Sequence, residues 1–524
     1  MKIGIYNRHL TGVGGGEKHM LAMAEVLSRH DSVDVLTHHV LDLPAAGAQL
    51  GLDLSRARLR ALEDRPEPEL EPITAEYDLF INASDGTFLP SQALRSILLV
   101  YFPTPVSNTP WARLKWHLGH RLRRMLLVPR YVAGFYGPEK RGLMTVRWTK
   151  RQARLEIPTP PGAHTLAIRL TLTADRCVDP VRFFVDGQEV ATGTVPAGRV
   201  TSIDIPVLVS NHGPARLDIS APHDDELGAD HACPEPHRRD LGVAVADVQV
   251  DATRYRLYQL VFRHWFRELG QRLDSLYPVL DLNHLDTYDR ICANSRYTQR
   301  WVRRHWAKDS IVFYPPVDVD LFEPLPKRRQ ILSVGRFFTT GHNKKHLAMI
   351  RAFRRMIDEG LAGWELHLAG GTSPGDANAK YLAQVRAEAA GAPIHIHTDI
   401  SFDALRQLYG ESVIYWHAAG YGEDPERHPL RYEHFGLTTV EAMAAGAVPV
   451  VINGGGQPEI VTHGADGFLW RSTDELKALT GRLIEDPELC RRMGAVARGR
   501  SRAFGRKPFE ARLWEIVEGI TEWD

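Results

Sequence analysis

Two glutamates eight residues apart, Glu433 and Glu441, flank the segment His434-Phe435-Gly436-Leu437-Thr438-Thr439-Val440. Gly436 permits a tight turn, and Thr438 or Thr439 can cap the apolar run Val440 to Ala445. Backbone N–H groups near residues 436 to 440 would then point outward, where a diphosphate fits. Eight residues at a rise of about 1.5 Å span roughly 12 Å, comparable to the reach from a hexose across a pyrophosphate to a ribose. Glu433 is thus placed to hold sugar hydroxyls and Glu441 ribose hydroxyls. The plain alternative is an amphipathic helix with two solvated carboxylates.

Other stretches carry matching chemistry. Gly12-Val13-Gly14-Gly15-Gly16-Glu17 follows a first strand and opens a helix, so the bare backbone of Gly14, Gly15 and Gly16 can approach a phosphate or sugar. Leu36-Thr37-His38 stands where a dinucleotide site needs an acid, which argues against NAD. Ser333-Val334-Gly335-Arg336 ends a strand, and His342-Asn343-Lys344-Lys345 begins the next helix. Arg336 can fork onto phosphate oxygens and Lys344 can add a point charge, offsetting the charge on a departing nucleoside diphosphate without a metal. Lys345 reads as solvated. The run Gly454-Gly455-Gly456-Gln457-Pro458-Glu459 is a further place where backbone could near a ligand. The 24 histidines show no HExxH or clustered ligand spacing. His434 therefore reads as a packing or hydrogen-bonding group, and no metal is assigned.

At 524 residues the chain exceeds what one core supports, so two or three domains are expected. Its 64 basic and 64 acidic residues create no field favouring nucleic acid. Four scattered cysteines suit a reducing compartment. The N-terminus reads as a strand without a signal-peptide core, and no stretch reaches about 18 apolar residues. A cytoplasmic protein is expected.

Residues 1 to about 110 alternate short apolar runs (Ile3 to Tyr6, Val33 to Leu36, Asp78 to Asn82, Ile97 to Tyr101) with helical patterns, and the alternation returns after residue 286. Two Rossmann-like halves with parallel sheets follow. Between them, period-two alternation in Leu166-Ile168-Leu170-Leu172 and Ile203-Ile205-Val207-Val209, with an Asp186-Gly187 turn, predicts an inserted β-sandwich over residues 143–252. The divisions are then 1–142 and 253–312 for the N-terminal domain, 313–504 for the C-terminal domain, and 505–524 for a final helix crossing back.

Two cationic, aromatic stretches flank the insert. Residues 111–142 hold eight Lys or Arg against Glu139, with Trp111 and Trp116 interleaved; Arg254 to Leu280 looks helical and amphipathic. Peripheral contact with an anionic membrane is one reading, and a solvated helix face the other.

Taken together, Tyr432-Glu433-His434-Phe435-Gly436 with Glu441-Ala442-Met443-Ala444-Ala445-Gly446 resembles the mannosyltransferase-type branch of family 4 glycosyltransferases, which have the GT-B fold. Gly14 to Glu17, Ala293-Asn294-Ser295, Tyr314-Pro315-Pro316-Val317-Asp318, Gly335-Arg336 and Lys344 stand in the family's order. The resemblance implies metal-independent transfer of a hexose, from a GDP- or UDP-sugar lying between the domains, to a glycan or lipid-linked acceptor with retention of configuration. It implies Glu433 on the donor sugar, Glu441 on the ribose, Arg336 and Lys344 on the diphosphate, with Gly14 to Gly16 and Phe435 to Thr438 around the donor. Tyr101 stands where many relatives have histidine. The insert looks similar to a carbohydrate-binding module, with a spacer or dimerisation module as the alternative. A non-catalytic glycan-binding protein and a nucleotide-sugar epimerase are the rival functions.

Overall fold

The computed structural model describes the chain except residues 11–13, 63–66, 105–124, 142–143, 160–164, 209–213, 223–240, 259, 261–281, 340, 342, 373–374 and 521–524. Gly12, His342, Val209 and the cationic residues of 111–124 and 261–280 therefore lie outside the described residues.

The first sheet takes β1 (Lys2–Tyr6), β2 (Ser32–Thr37), β3 (Arg58–Ala61), β4 (Leu79–Asn82) and β5 (Arg95–Val100). The chain then leaves it for β6 (Arg130–Arg141), β7 (Met144–Ile157), β8 (Thr165–Thr173), β9 (Val178–Val185), β10 (Gln188–Val195), β11 (Thr201–Leu208), β12 (Ala215–Ser220) and β13 (Ala244–Val250). It returns with β14 (Arg290–Ala293) and β15 (Ile311–Val312), giving the parallel order β15-β14-β5-β4-β1-β2-β3. The last sheet, β18-β17-β16-β19-β20-β21, uses β16 (Arg328–Val334), β17 (Glu365–Gly370), β18 (Ile394–Thr398), β19 (Ser412–His417), β20 (Val448–Ile452) and β21 (Phe468–Trp470).

Both parallel sheets are buried on two faces, which is why their strands read as continuous apolar runs. In β1, Ile3 and Ile5 enter one core while Tyr6 enters the core on the other face. In β16, Ile331 and Leu332 divide likewise. The final helix Arg506–Glu518 buries Phe509, Leu513, Ile516 and Val517 in the core of the first sheet, so the chain's end straps the C-terminal domain to the N-terminal one.

The insert differs from the expected pair of sheets. It is one eight-stranded antiparallel sheet, β10-β9-β12-β7-β13-β8-β11 with β6 also on β7, rolled until Gly193 of β10 meets Ile203 of β11 around a shared core. Alternation along a strand is the same for one rolled sheet as for two facing ones, so the sequence pattern could not separate them. The sheet also begins earlier than residue 143, because β6 pairs with β7 from Arg130↔Glu156 to Arg141↔Met144. Arg130 and Arg141 thus belong to a strand, where Arg130 bonds Glu156 and the Ala307 carbonyl and Arg141 grips Asp175 over the Trp148 ring. The membrane reading of 111–142 does not extend to these residues. Among the described residues no helix is long and apolar enough to cross a membrane.

Buried ion pairs seat the insert on the N-terminal domain. Lys150 of β7 donates to Asp289 (2.8 Å), Ser96 and the Thr287 carbonyl. Asp286 takes both Lys308 (2.5 Å) and Arg147 (3.0 Å), and Lys308 and Asp286 are 3% and 6% exposed. Burial alone would raise the Asp286 carboxyl, but the two cations hold it below its usual range. Removing the anion strands two cations. Asp286→Ala is expected to destabilise the protein by about 3–5 kcal/mol, read as a lower urea midpoint, while Asp286→Asn loses less.

Candidate functional site

The carboxyl edges of the two parallel sheets face one another across a cleft of about 520 Å³. Its walls include Gly14, Gly15, Gly16, Glu17 and Tyr101 from one domain and Arg336, Lys344, Glu433 and Phe435 to Thr438 from the other. Residues more than 400 positions apart meet here because each follows a strand at that edge.

On the N-terminal side the helix Gly15–Leu27 starts with Gly14 extended and no side-chain cap, so its first N–H groups open to the cleft. Gly15 touches the opposite wall: a Cβ there would lie 2.7 Å from Leu437 Cδ1. The Tyr101 hydroxyl donates to the Gly16 carbonyl at 2.6 Å, and burial, reinforced by Glu17 and Asp85, pushes its ionisation well up. Tyr101 is thus a neutral phenol that braces the glycine loop.

On the C-terminal side Gly436, at φ 124°, is the N-cap of the helix Leu437–Ala444. The expected threonine cap is absent because the helix begins ahead of both threonines, at Leu437; inside its first turn Thr438 accepts from the Tyr415 hydroxyl (2.8 Å) and Thr439 donates to Gln457 (2.9 Å). Both helix starts facing this space thus have glycine N-caps with no side chain of their own, and at the first of them the Glu17 carboxylate folds back beside Gly14. Such a pair favours an anion.

The Glu433 carboxylate accepts from Lys344 and lies 3.2 Å from His417 Nε2. The Lys344 stem runs over Gly335, where a Cβ would meet its Cγ at 2.5 Å. Burial keeps His417 below the usual imidazole range despite Glu433, so it faces the carboxylate as a neutral ring. Arg336 is exposed on the cleft wall, its guanidinium 5.6 Å from the Phe338 ring. Glu441, one turn past Leu437, lies off this wall, held by the Tyr409 hydroxyl at 2.7 Å, and burial raises its carboxyl.

Besides Glu441, the candidates Gly455 and Lys345 also stand outside the lining. Gly455 backs the site instead of facing it: a Cβ there would strike the Glu433 carbonyl at 2.2 Å, and the neighbouring Gly456 N–H donates to that carbonyl. Lys345 is paired with Glu423 at 2.6 Å and is outside the lining, because its αL backbone at the helix start turns it away from Lys344. His434 lines the cleft and stacks on Phe102, ring centroids 4.6 Å apart.

Sequence reasoning missed His417, Phe338 and Glu459. Glu459 reaches across the domains and accepts from the Arg296 and Tyr297 N–H groups (both 2.7 Å) at the start of the helix Arg296–Trp306, and from the Tyr314 hydroxyl. Its glycine-rich approach was visible in the sequence, but nothing local marked its partner. Arg506 adds a second tie, bonding Asp318 and Glu25, with Lys18 also on Asp318 (2.5 Å).

Residues 322–500 match the model of the family described as glycosyl transferases group 1. The chain is 24% identical over 297 residues to a GDP-Man:Man(3)GlcNAc(2)-PP-Dol alpha-1,2-mannosyltransferase of Dictyostelium discoideum, covering 52% of this chain and 54% of that one. It is 44% identical over 98 residues to an MMP alpha-(1->4)-mannosyltransferase of Mycolicibacterium hassiacum, 18% of this chain and 22% of that one. The chain thus spans about half the length, or less, of these curated relatives. Among solved structures, a glycosyltransferase of Rickettsia africae superposes with a TM-score of 0.51 at 12% identity, covering 100% of this chain and 99% of that one. Anabaena HepE in complex with UDP superposes with a TM-score of 0.51 at 11% identity, covering 99% and 100%. The fold is GT-B.

Two buried histidines stand behind the walls. His19, against Phe313 and Phe509, and His346, stacked on Phe337, are each held down to about 3, chiefly by burial. The unfolded chain takes up these protons below 6.5 while the native one does not, so stability is full above that pH and lost as pH falls toward 3. At pH 5 each should cost about 2 kcal/mol. Urea midpoints at pH 7.5 and pH 5 measure this, and His19→Leu should shrink the difference; equal midpoints in the parent would contradict it.

Proposed function

We propose that the chain is a retaining hexosyltransferase that moves a mannose-type sugar from a nucleoside diphosphate, GDP in the first instance, to a glycan or lipid-linked oligosaccharide. The observation that carries the reading is the cleft itself, where two glycine-capped helix N-termini, the cations Arg336 and Lys344 and the carboxylates Glu17 and Glu433 surround a volume suited to a nucleotide-sugar. The family model over residues 322–500 supports glycosyl transfer. The curated relatives, whose names carry GDP-Man and a PP-Dol-linked oligosaccharide, support the donor and acceptor class.

In this reading the diphosphate lies between the helix starts at Gly14 to Gly16 and Gly436 to Thr438. Arg336 and Lys344 neutralise the charge that grows on the β-phosphate as the bond to the sugar C1 breaks. An acceptor hydroxyl attacks C1 from the face the phosphate leaves, and its proton passes to the leaving phosphate oxygen. Glu433 holds the donor sugar's hydroxyls, and its bonds to Lys344 and His417 keep the carboxylate oriented. Glu441, fixed by Tyr409 behind the cleft wall, is the group assigned to the ribose hydroxyls. The neutral Tyr101 supplies no base, so positioning and charge stabilisation carry the rate.

Calorimetric titration with GDP, UDP, ADP and dTDP tests the donor site: selective binding of GDP that Glu441→Ala abolishes is the expected result. No binding of any nucleotide would overturn it in favour of glycan binding alone. With an identified donor and acceptor, Lys344→Ala and Arg336→Ala should each cost about 2–4 kcal/mol of transition-state stabilisation, seen in kcat; turnover matching the parent's would remove that role.

A further inference from the structure

The sequence showed no clustered ligand spacing among its histidines, but the second sheet assembles one. Glu365 and His367 alternate on β17, His395 and His397 alternate on β18, and the parallel register pairs His367 with His395. All four side chains therefore fall on one face of two neighbouring strands. His367 Nε2 is 3.1 Å and His395 Nε2 3.9 Å from the same Glu365 oxygen, and one ligand atom from each of the three residues lies within 4.8 Å of the others. Tetrahedral zinc with bonds near 2.0 Å needs its ligand atoms about 3.3 Å apart, so small rotations suffice.

We propose that Glu365, His367 and His395 bind a divalent transition metal of the zinc class. His397 is the orienting partner: its Nε2 lies 3.0 Å from His367 Nδ1, leaving His367 Nε2 for the ion. The His367 and His397 rings stack at an interplanar angle of 8°. Arg328, which also faces Glu365, is paired with Glu411. Two imidazoles and one carboxylate leave a fourth position for water.

The cluster begins at the amino ends of β17 and β18, opposite the sheet edge that lines the cleft, so it is separate from the donor site. Its place suggests a staple. In the sheet order β18 is an edge strand bonded, among the described residues, to β17 alone, and the ion would cross-link the two. β18 runs directly into Asp399, whose carboxylate bonds the Thr372 N–H and hydroxyl beside Arg336, so stiffening it steadies one flank of the cleft.

Titration of the chelator-treated full-length protein with Co²⁺, followed by its visible ligand-field bands and competed with Zn²⁺, tests the site. One equivalent with a tetrahedral spectrum is expected, together with a raised melting temperature. His395 and Glu365 are 47% and 45% exposed, so His395→Ala and Glu365→Gln should fold, as circular dichroism will show, and each should weaken binding more than tenfold. His397→Ala should weaken it about 10–100-fold. Undiminished binding in both His395→Ala and Glu365→Gln, or no binding by the parent at micromolar metal, would overturn the proposal.

Discussion

Two N–H groups at the start of the helix Arg296–Trp306 are capped by a carboxylate from the other domain, and the geometry of the cleft hangs on that bond. Glu459 stands immediately behind the glycines that back Glu433, so the group that grips the N-terminal domain is covalently close to a carboxylate that lines the cleft. Burial raises the Glu459 carboxyl, and the two amides and Tyr314 are what hold its charge. The strap helix with Arg506 and the stacking of His434 on Phe102 add further ties, each joining opposite sheets. A hinge built this way keeps Gly15 against Leu437 at the centre of the cleft.

Around that hinge, charge is balanced locally. The cleft's anion-attracting power comes from helix starts and from Arg336 and Lys344, while Glu433 keeps Lys344 from being a bare buried cation. Neutral groups surround this core: His417, Tyr101, Tyr409 and Tyr415 are all held uncharged by burial, so each serves as a fixed dipole. Fixed dipoles cost no reorganisation when a reacting bond changes its charge.

The insert obeys a different economy. It buries its own apolar core in a rolled sheet and adheres to the N-terminal domain through Lys150, Arg147 and Lys308 instead of apolar surface. Buried ion pairs of this kind specify orientation more than they stabilise. The insert is thereby oriented against the N-terminal domain.

Much of this was legible in the chain. Continuous apolar strands alternating with helices announced two parallel sheets, because strands buried on both faces admit no polar side. The Gly14 to Gly16 loop, Arg336, Lys344 and the Glu433 to Thr438 segment announced the walls of a site, because residues that follow strands in such sheets converge on one edge. What only the tertiary structure decided depends on which distant surfaces meet. The capping of one domain by Glu459, the turning of Gly455 to the rear, the rolling of the insert into a single sheet and the meeting of Glu365 and His367 with His395 and His397 are set by register and packing between segments. No local spacing encodes these contacts, since a strand's alternation states its two faces but not its neighbour.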